Sequence, residues 1–582
     1  MNPAIPAPPS HLTLLAVALA ACWSPAMADE GRVVIEGQRQ HYRSLSVTGA
    51  TKLDTPLSDL PQSVRVITGE LLDDAGVTTL AGALDLASGV SRQSNLGGLW
   101  DSYALRGFTG DPNFGSDYLV NGFSSSRGYN GVRDGANTDS VEVLKGPASA
   151  LYGRGEPGGT VNIVTRKPRF TPGTTIDAGV DRYGGRRAAI DLTGPVSENV
   201  AYRLNAAIDS GDSFRDHVDH ERVLVAPSVV WLIGDATTLS YEVEAVQQRT
   251  PFDRGVVAVN GELGLIPNSR FLGEPDDGKV TVKSVGQQLF VRHELNAGWS
   301  LQGGVSYRDS SLRGFSSQLN DIGADGRTAR RQRRLNDWYS VDRSGRIEAV
   351  GRFATGGVKH HVLAGFDAYA FDDDRIQLRR NPGADMPYAI DLYQPVYGGV
   401  AAPLALSVST RERQRSRAVY LQDQLDLAPR WKALVGVRRD SYDQTVVNRR
   451  LARASTQSLG ATSPRVGLVY QPLPTLSLYA SAAEGFRPNS GISLDNAAFP
   501  AESSRAYEAG AKIDSADGKL GATVALYRIT KDNVLTVDPR NTDYSVPAGA
   551  VASKGVEVDV AGDLARDLRL SLAYAFTDAV VT

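Results

Sequence analysis

Residues able to do chemistry are sparse in this chain of 582, and the first candidates fail on what surrounds them. Gly153-Arg154-Gly155-Glu156-Pro157-Gly158 fits the dinucleotide fingerprint G-x-G-x-x-G. That fingerprint needs a helix straight after it, whose amino end holds the pyrophosphate. Here the β-branched run from Thr160 to Thr165 follows, so a strand is expected and nucleotide binding is excluded. His217 and His220 stand at i, i+3 beside Asp216 and Asp219, and His360-His361 is a pair. A metal site needs a third ligand, and neither group has a recognisable one, so both read as polar residues at strand ends or in loops. No serine–histidine or carboxylate-pair arrangement is recognisable, which argues against an enzyme.

Two glutamates carry more information. In Tyr507-Glu508-Ala509-Gly510-Ala511 and Val556-Glu557-Val558-Asp559-Val560 the acids alternate with apolar or small neighbours. On a strand, that alternation turns the glutamates to one face and the apolar residues to the other. An acid there is cheap if its face is wet, so solvation alone is one reading.

Such residues need elements to position them. From Phe170 onward, strand-length runs alternate and turns recur at short intervals. Leu568, Leu570, Leu572, Tyr574 and Phe576 share one face, as do Tyr202, Leu204, Ala206 and Ile208. Val419, Leu421, Leu425 and Leu427 lie opposite Tyr420, Gln422, Gln424 and Asp426. About 17 such runs are too many for one sandwich and suit a membrane barrel. The polar stretches near 251–279, 314–336 and 372–409 read as extracellular loops, while other links are very short.

Bulk composition neither forbids nor demands a barrel. Lys+Arg of 62 against Asp+Glu of 65 gives a formal charge of −3, so nothing points to nucleic acid. Mean hydropathy is −0.23. Beyond the amino terminus no run approaches the ~18 apolar residues of a membrane helix. A barrel hides its apolar surface in alternate residues and averages out as polar. The apolar block Leu12 to Ala21, followed by Ala26-Met27-Ala28, fits a secretory signal cut before Asp29, although no Lys or Arg precedes it. Leu19-Ala20-Ala21-Cys22 also resembles a lipoprotein cleavage site, the less favoured reading.

Ahead of the barrel, residues 46–168 read as one α+β unit. Asp59 to Thr68 gives a turn and then a strand, and Leu71 to Leu86 has helical spacing interrupted near Gly76. Tyr118-Leu119-Val120-Asn121-Gly122 ends in a hairpin signal. Val141 to Leu144 meets a Gly146-Pro147 turn, and Ala148 to Tyr152 is long enough for one helical turn.

Read together, Leu60-Pro61-Gln62-Ser63-Val64, Leu105-Arg106-Gly107-Phe108, the Asn121-Gly122 turn and the whole string Leu144 to Pro168 resemble TonB-dependent outer-membrane receptors, in their ferric-siderophore branch. The resemblance implies a mainly β fold, a transmembrane antiparallel barrel around an amino-terminal α+β plug domain. The expected division is signal peptide 1–28, TonB box and linker 29–49, plug 50–168 and barrel 169–582. Family barrels have about 22 strands, so this chain is expected to lack roughly five and to leave its sheet unclosed.

The resemblance also implies roles. Arg32-Val33-Val34-Ile35-Glu36 resembles the TonB box, which the periplasmic partner TonB captures by adding a strand. The acids resemble the wall glutamates of the YE-x-G-x-K and GVE segments, so Glu508 and Glu557 are expected to pair with plug cations Arg106 and Lys145. Lys145 stands where the family more often has arginine, a point charge in place of a fork. Two such anchoring clusters are expected, since ten would hold a moving plug too firmly. At the extracellular apices of the plug, Arg92, Trp100, Phe114, Arg127 and Tyr129 have types that suit a ferric chelate. The function implied is active import of a ferric siderophore across the Gram-negative outer membrane. Its energy comes from the proton gradient through TonB and the inner-membrane ExbB/ExbD complex. Iron is cargo and no cofactor is expected; the protein is expected to be a monomer among outer-membrane lipids. Alternatives are uptake of cobalamin, another metal chelate or an oligosaccharide, a passive porin, or a surface binding protein.

Overall fold

The β-branched run Val64–Thr68 begins the inner domain of the computed structural model, which describes residues 42–94, 96–110, 116–125, 129–382, 388–399, 403–489, 493–495, 498–540 and 545–582. The signal peptide, Cys22, the segment Arg32 to Glu36, Phe114 and Arg127 lie outside the described residues. The inner sheet has five strands, in the order Val64–Thr68, Thr138–Lys145, Gly159–Thr165, Tyr118–Val120, Phe123–Ser124. Asn121 and Gly122, at φ 52° and 72°, close the hairpin between the last two, as the Asn-Gly pair requires.

The helical spacing from Leu71 to Leu86 resolves into two short helices, Gly69–Asp74 and Leu80–Leu84. Thr68 and Thr79 cap their amino ends, each hydroxyl accepting a backbone N–H at 3.3 Å. Gly76, at φ 63°, turns the chain between them. Leu71, Leu72, Leu80 and Leu84 pack on Ile67, Val141, Val143, Val161 and Ile163 to form the plug core. Gly158 is needed for a separate reason. A Cβ there would sit 1.9 Å from the Leu105 carbonyl oxygen, so only glycine lets this strand entry pass beside the turn that carries Arg106.

Around the plug runs an 18-stranded sheet, from Gly173–Val180 to Leu568–Val581. Apart from the two-residue Ile390–Asp391, its members follow one another as antiparallel neighbours. Burial alternates along strands such as Ala405–Ala428, Trp431–Asn448 and Glu502–Asp514. Val419 and Leu421 are 56% and 51% exposed on the outer face, while Tyr420 and Gln422 are buried on the inner one. An apolar outer face and polar inner face are the reverse of a soluble protein and match a wall set in lipid. Among the described residues no pairing joins Gly173–Val180 to Leu568–Val581, so the sheet is an open arc.

Of the three polar stretches read as loops, one is largely strand and a second is strand at both ends. Trp299–Ile322 and Thr328–Thr355 run for 24 and 28 residues and form one ladder through most of 314–336. Val358–Arg380 and Ala405–Ala428 similarly take up both ends of 372–409. A span needs only ~9–11 residues, so these hairpins continue well past the bilayer. Water on both sides removes the apolar alternation there, which is why the sequence reads as loop. The stretch between Thr237–Pro251 and Lys279–Asn296 is a true loop, carrying the short helical turn Pro275–Asp277 and a single β-bridge, Val259 to Glu262.

Candidate functional site: the plug–wall seam and the mouth above it

Arg106 and Gly107 join strands Tyr103–Leu105 and Phe108–Thr109, both at positive φ (51° and 81°). This tight turn sends the Arg106 side chain out of the plug and into the wall, where it is 1% exposed. Its Nη2 donates to Glu508 Oε2 at 2.7 Å and to Glu557 Oε2 at 2.8 Å, and its Nε reaches Glu557 Oε1 at 3.2 Å. The guanidinium carbon lies 4.0 Å from the centre of the Tyr527 ring. Burial works against this charge, but the two carboxylates outweigh it and hold the guanidinium above its ordinary pKa.

Lys145, at the end of Thr138–Lys145, approaches Glu557 Oε1 at 3.6 Å and donates to the carbonyl and hydroxyl of Ser88. The spare lone pairs of the acids are also used. Glu508 Oε1 accepts from Ser63 N at 2.6 Å and from the Tyr479 hydroxyl at 2.8 Å. Asp559, two residues after Glu557 on the same face, accepts from Ser88 N and Oγ at 3.1 and 2.6 Å. The structure therefore brings Arg106, Lys145, Glu508 and Glu557 into one buried cluster, with Arg106 taking both acids.

The expectation of only two anchoring clusters needs correction. Arg133 makes a two-pronged pair with Glu244 at 2.8 and 2.7 Å, and Arg308 adds a third contact to the same acid at 3.2 Å. Plug Asp134 accepts from wall residues Arg187 and Arg222, at 2.7 and 3.0 Å. Lys52 meets Glu348 at 2.9 Å and the Tyr420 hydroxyl at 2.8 Å; burial pushes its pKa down to about 8 against the pull of Glu348. Glu156 meets Lys531 at 3.1 Å, and Arg166 meets Asp191 at 3.0 Å. Ion pairs thus ring the whole seam. Sequence reasoning missed these because no motif marks them. The available signal was acids and arginines on the inward face of each strand, such as Glu244 and Glu348.

The residues expected to face cargo are arranged differently. Trp100 and Tyr129 are buried, 2% and 0% exposed, and pack with Leu99, Phe252, Val280, Val282 and Leu312. Tyr129 donates to Asp373 at 2.7 Å, and its ring lies 5.3 Å from that of Trp338. The plug tip is therefore folded against the wall, so neither aromatic presents an open face. Arg92 is exposed and paired with Asp85 at 2.9 Å. His360 bonds to Asp423 at 2.7 Å and His220 lies 3.4 Å from Asp209. Among the described residues no group of three or more His, Cys, Asp or Glu could hold a metal ion.

A plug fastened by charge inside a polar-lined wall is the arrangement to set beside known proteins. The family model for the TonB-dependent receptor-like β-barrel matches residues 228–582, and that for the TonB-dependent receptor plug domain matches residues 56–160. The chain belongs to the TonB-dependent receptors. The receptor is 40% identical over 555 residues to the metal-pseudopaline receptor CntO of Pseudomonas aeruginosa, covering 94% of this chain and 78% of that one. It is 31% identical over 560 residues to the ferrioxamine B receptor of Salmonella typhimurium, covering 91% and 76%. The solved siderophore receptor PiuA from Acinetobacter baumannii superposes with a TM-score of 0.85 at 20% identity, over 93% of this chain and 82% of that one. Receptors of this family are outer-membrane proteins of Gram-negative bacteria that work with TonB; they are not enzymes. That places the apolar outer face of the wall in lipid.

Proposed function

We propose that the receptor actively imports a metal chelate of the siderophore kind, ferric siderophores first. The observation that carries this reading is the plug seated across the lumen by buried ion pairs. A passive porin needs an open lumen, whereas a plug anchored this way needs work to shift it. That work comes from TonB, driven through ExbB and ExbD, pulling on a strand added to Arg32-Val33-Val34-Ile35-Glu36. Arg43–Asp514 is the first plug–wall ion pair downstream of that segment, so the pull would meet it before the more deeply buried Lys52–Glu348 pair. The receptor works as a monomer, and the metal is cargo held within its chelate.

A second cargo reading, a chelate of a metal other than iron, is favoured by one observation. The metal-pseudopaline receptor is 40% identical to this chain, against 31% for the ferrioxamine B receptor. Radiolabelled uptake with iron, nickel and zinc chelates in a receptor-deficient host separates the two. Val34→Pro, which blocks strand addition, should leave surface binding intact and abolish uptake. Equal loss of binding and uptake would contradict the coupling.

A further inference from the structure

The run Thr328 to Arg334, TARRQRR, carries four guanidiniums on the extracellular extension of strand Thr328–Thr355. Three of them are matched with acids. Arg330 pairs with Asp321, Arg331 Nη2 lies 2.9 Å from Glu274, and Arg333 Nε lies 2.7 Å from Asp277. Arg334 is different. Strand register sets it directly opposite Arg379, and among the described residues the charged groups around it are Arg379 and Arg254, two further cations. Its hydrogen bond goes to the amide oxygen of Gln332. Gln332 in turn accepts from Gln318 at 3.3 Å, and Gln318 accepts from Arg254 Nη1 at 3.4 Å. The amides join Arg334 to Arg254 without neutralising either, and Arg379 faces Arg334 across the ladder.

Like charges directly opposite on neighbouring strands are destabilising. A fold that keeps three together, while matching every other arginine of the same run, holds a place for an anion. Its position fits cargo. Trp338 and Arg375, four residues along their strands from Arg334 and Arg379, share their inward face and pack on the plug tip at Tyr129. At ~3.3 Å per residue the arginine pair stands ~13 Å further out, in the mouth above the plug.

We propose that Arg254, Arg334 and Arg379 form an anion subsite that selects metal chelates bearing free carboxylates. A guanidinium fork matches a carboxylate two bonds at a time, and such charge-assisted bonds are about twice as strong as neutral ones. A cationic hydroxamate chelate offers these residues only neutral acceptors in place of a carboxylate and is repelled by their charge. This inference rests on the importer reading and narrows it to one cargo chemistry.

The test uses the full chain in outer membranes of a host lacking its own siderophore receptors. Binding of a carboxylate panel, ferric citrate and nickel citrate, is compared with that of ferrioxamine B, whose ferric complex is cationic. Carboxylate chelates should bind, and Arg334→Gln and Arg379→Gln should each weaken them roughly tenfold, equivalent to ~1.4 kcal/mol. Arg330→Gln, which removes an acid-paired guanidinium from the same run, should change nothing. Ferrioxamine B binding alone, or unchanged carboxylate binding in both variants, would overturn the subsite and leave the importer reading standing. Binding of neither class would overturn both.

Discussion

Two arginine sites on the inner face of this receptor solve opposite problems. Arg106 is buried and takes both Glu508 and Glu557, with every partner supplied by the fold. Arg334 stands against Arg379 and Arg254, with only an amide to bond among the described residues. The first charge is compensated within the protein and so resists movement. The second is uncompensated and so waits for something to arrive. Stability and reception are thus separated along the lumen, one at the seam and the other at the mouth.

The comparison breaks first at the seam. Arg106→Gln leaves two buried carboxylates facing each other, with Lys145 their one remaining ion-pair partner among the described residues. Plug unfolding, followed in denaturant with the wall intact, should then become easier by ~3–5 kcal/mol. A loss below ~1 kcal/mol would place the cluster in the class of exposed bridges. At the mouth the sign reverses. Arg379→Gln removes a like-charge neighbour and should leave stability unchanged or raise it by roughly 0.5 kcal/mol, even as anion binding falls. A destabilised hairpin would mean that Arg379 is structural.

How much of this was legible in the sequence depends on what surrounds each residue. Alternation along Tyr507 to Ala511 and Val556 to Val560 turned both acids inward, and the plug motifs supplied Arg106 and Lys145. Arg133, Glu244, Lys52 and Glu348 carry no motif, and their partners are far apart in the chain, so nothing local marked them. Trp100 and Tyr129 were read by chemical type and by their place at the apices of the plug. An aromatic residue suits a ligand or a packed seam equally well, and here Phe252 and Trp338 make it a seam. The long hairpins past the bilayer were hidden because a strand wet on both faces loses its period-2 apolar signal.

The central claim is that Arg106 and Glu508 are coupled across the seam, not merely close. A double-mutant cycle on Arg106→Gln and Glu508→Gln, singly and together, measures that coupling through plug unfolding. The account predicts a double mutant milder than the sum of the singles by at least ~1 kcal/mol, since removing both partners leaves fewer unmatched charges than removing either. Strictly additive losses would contradict it.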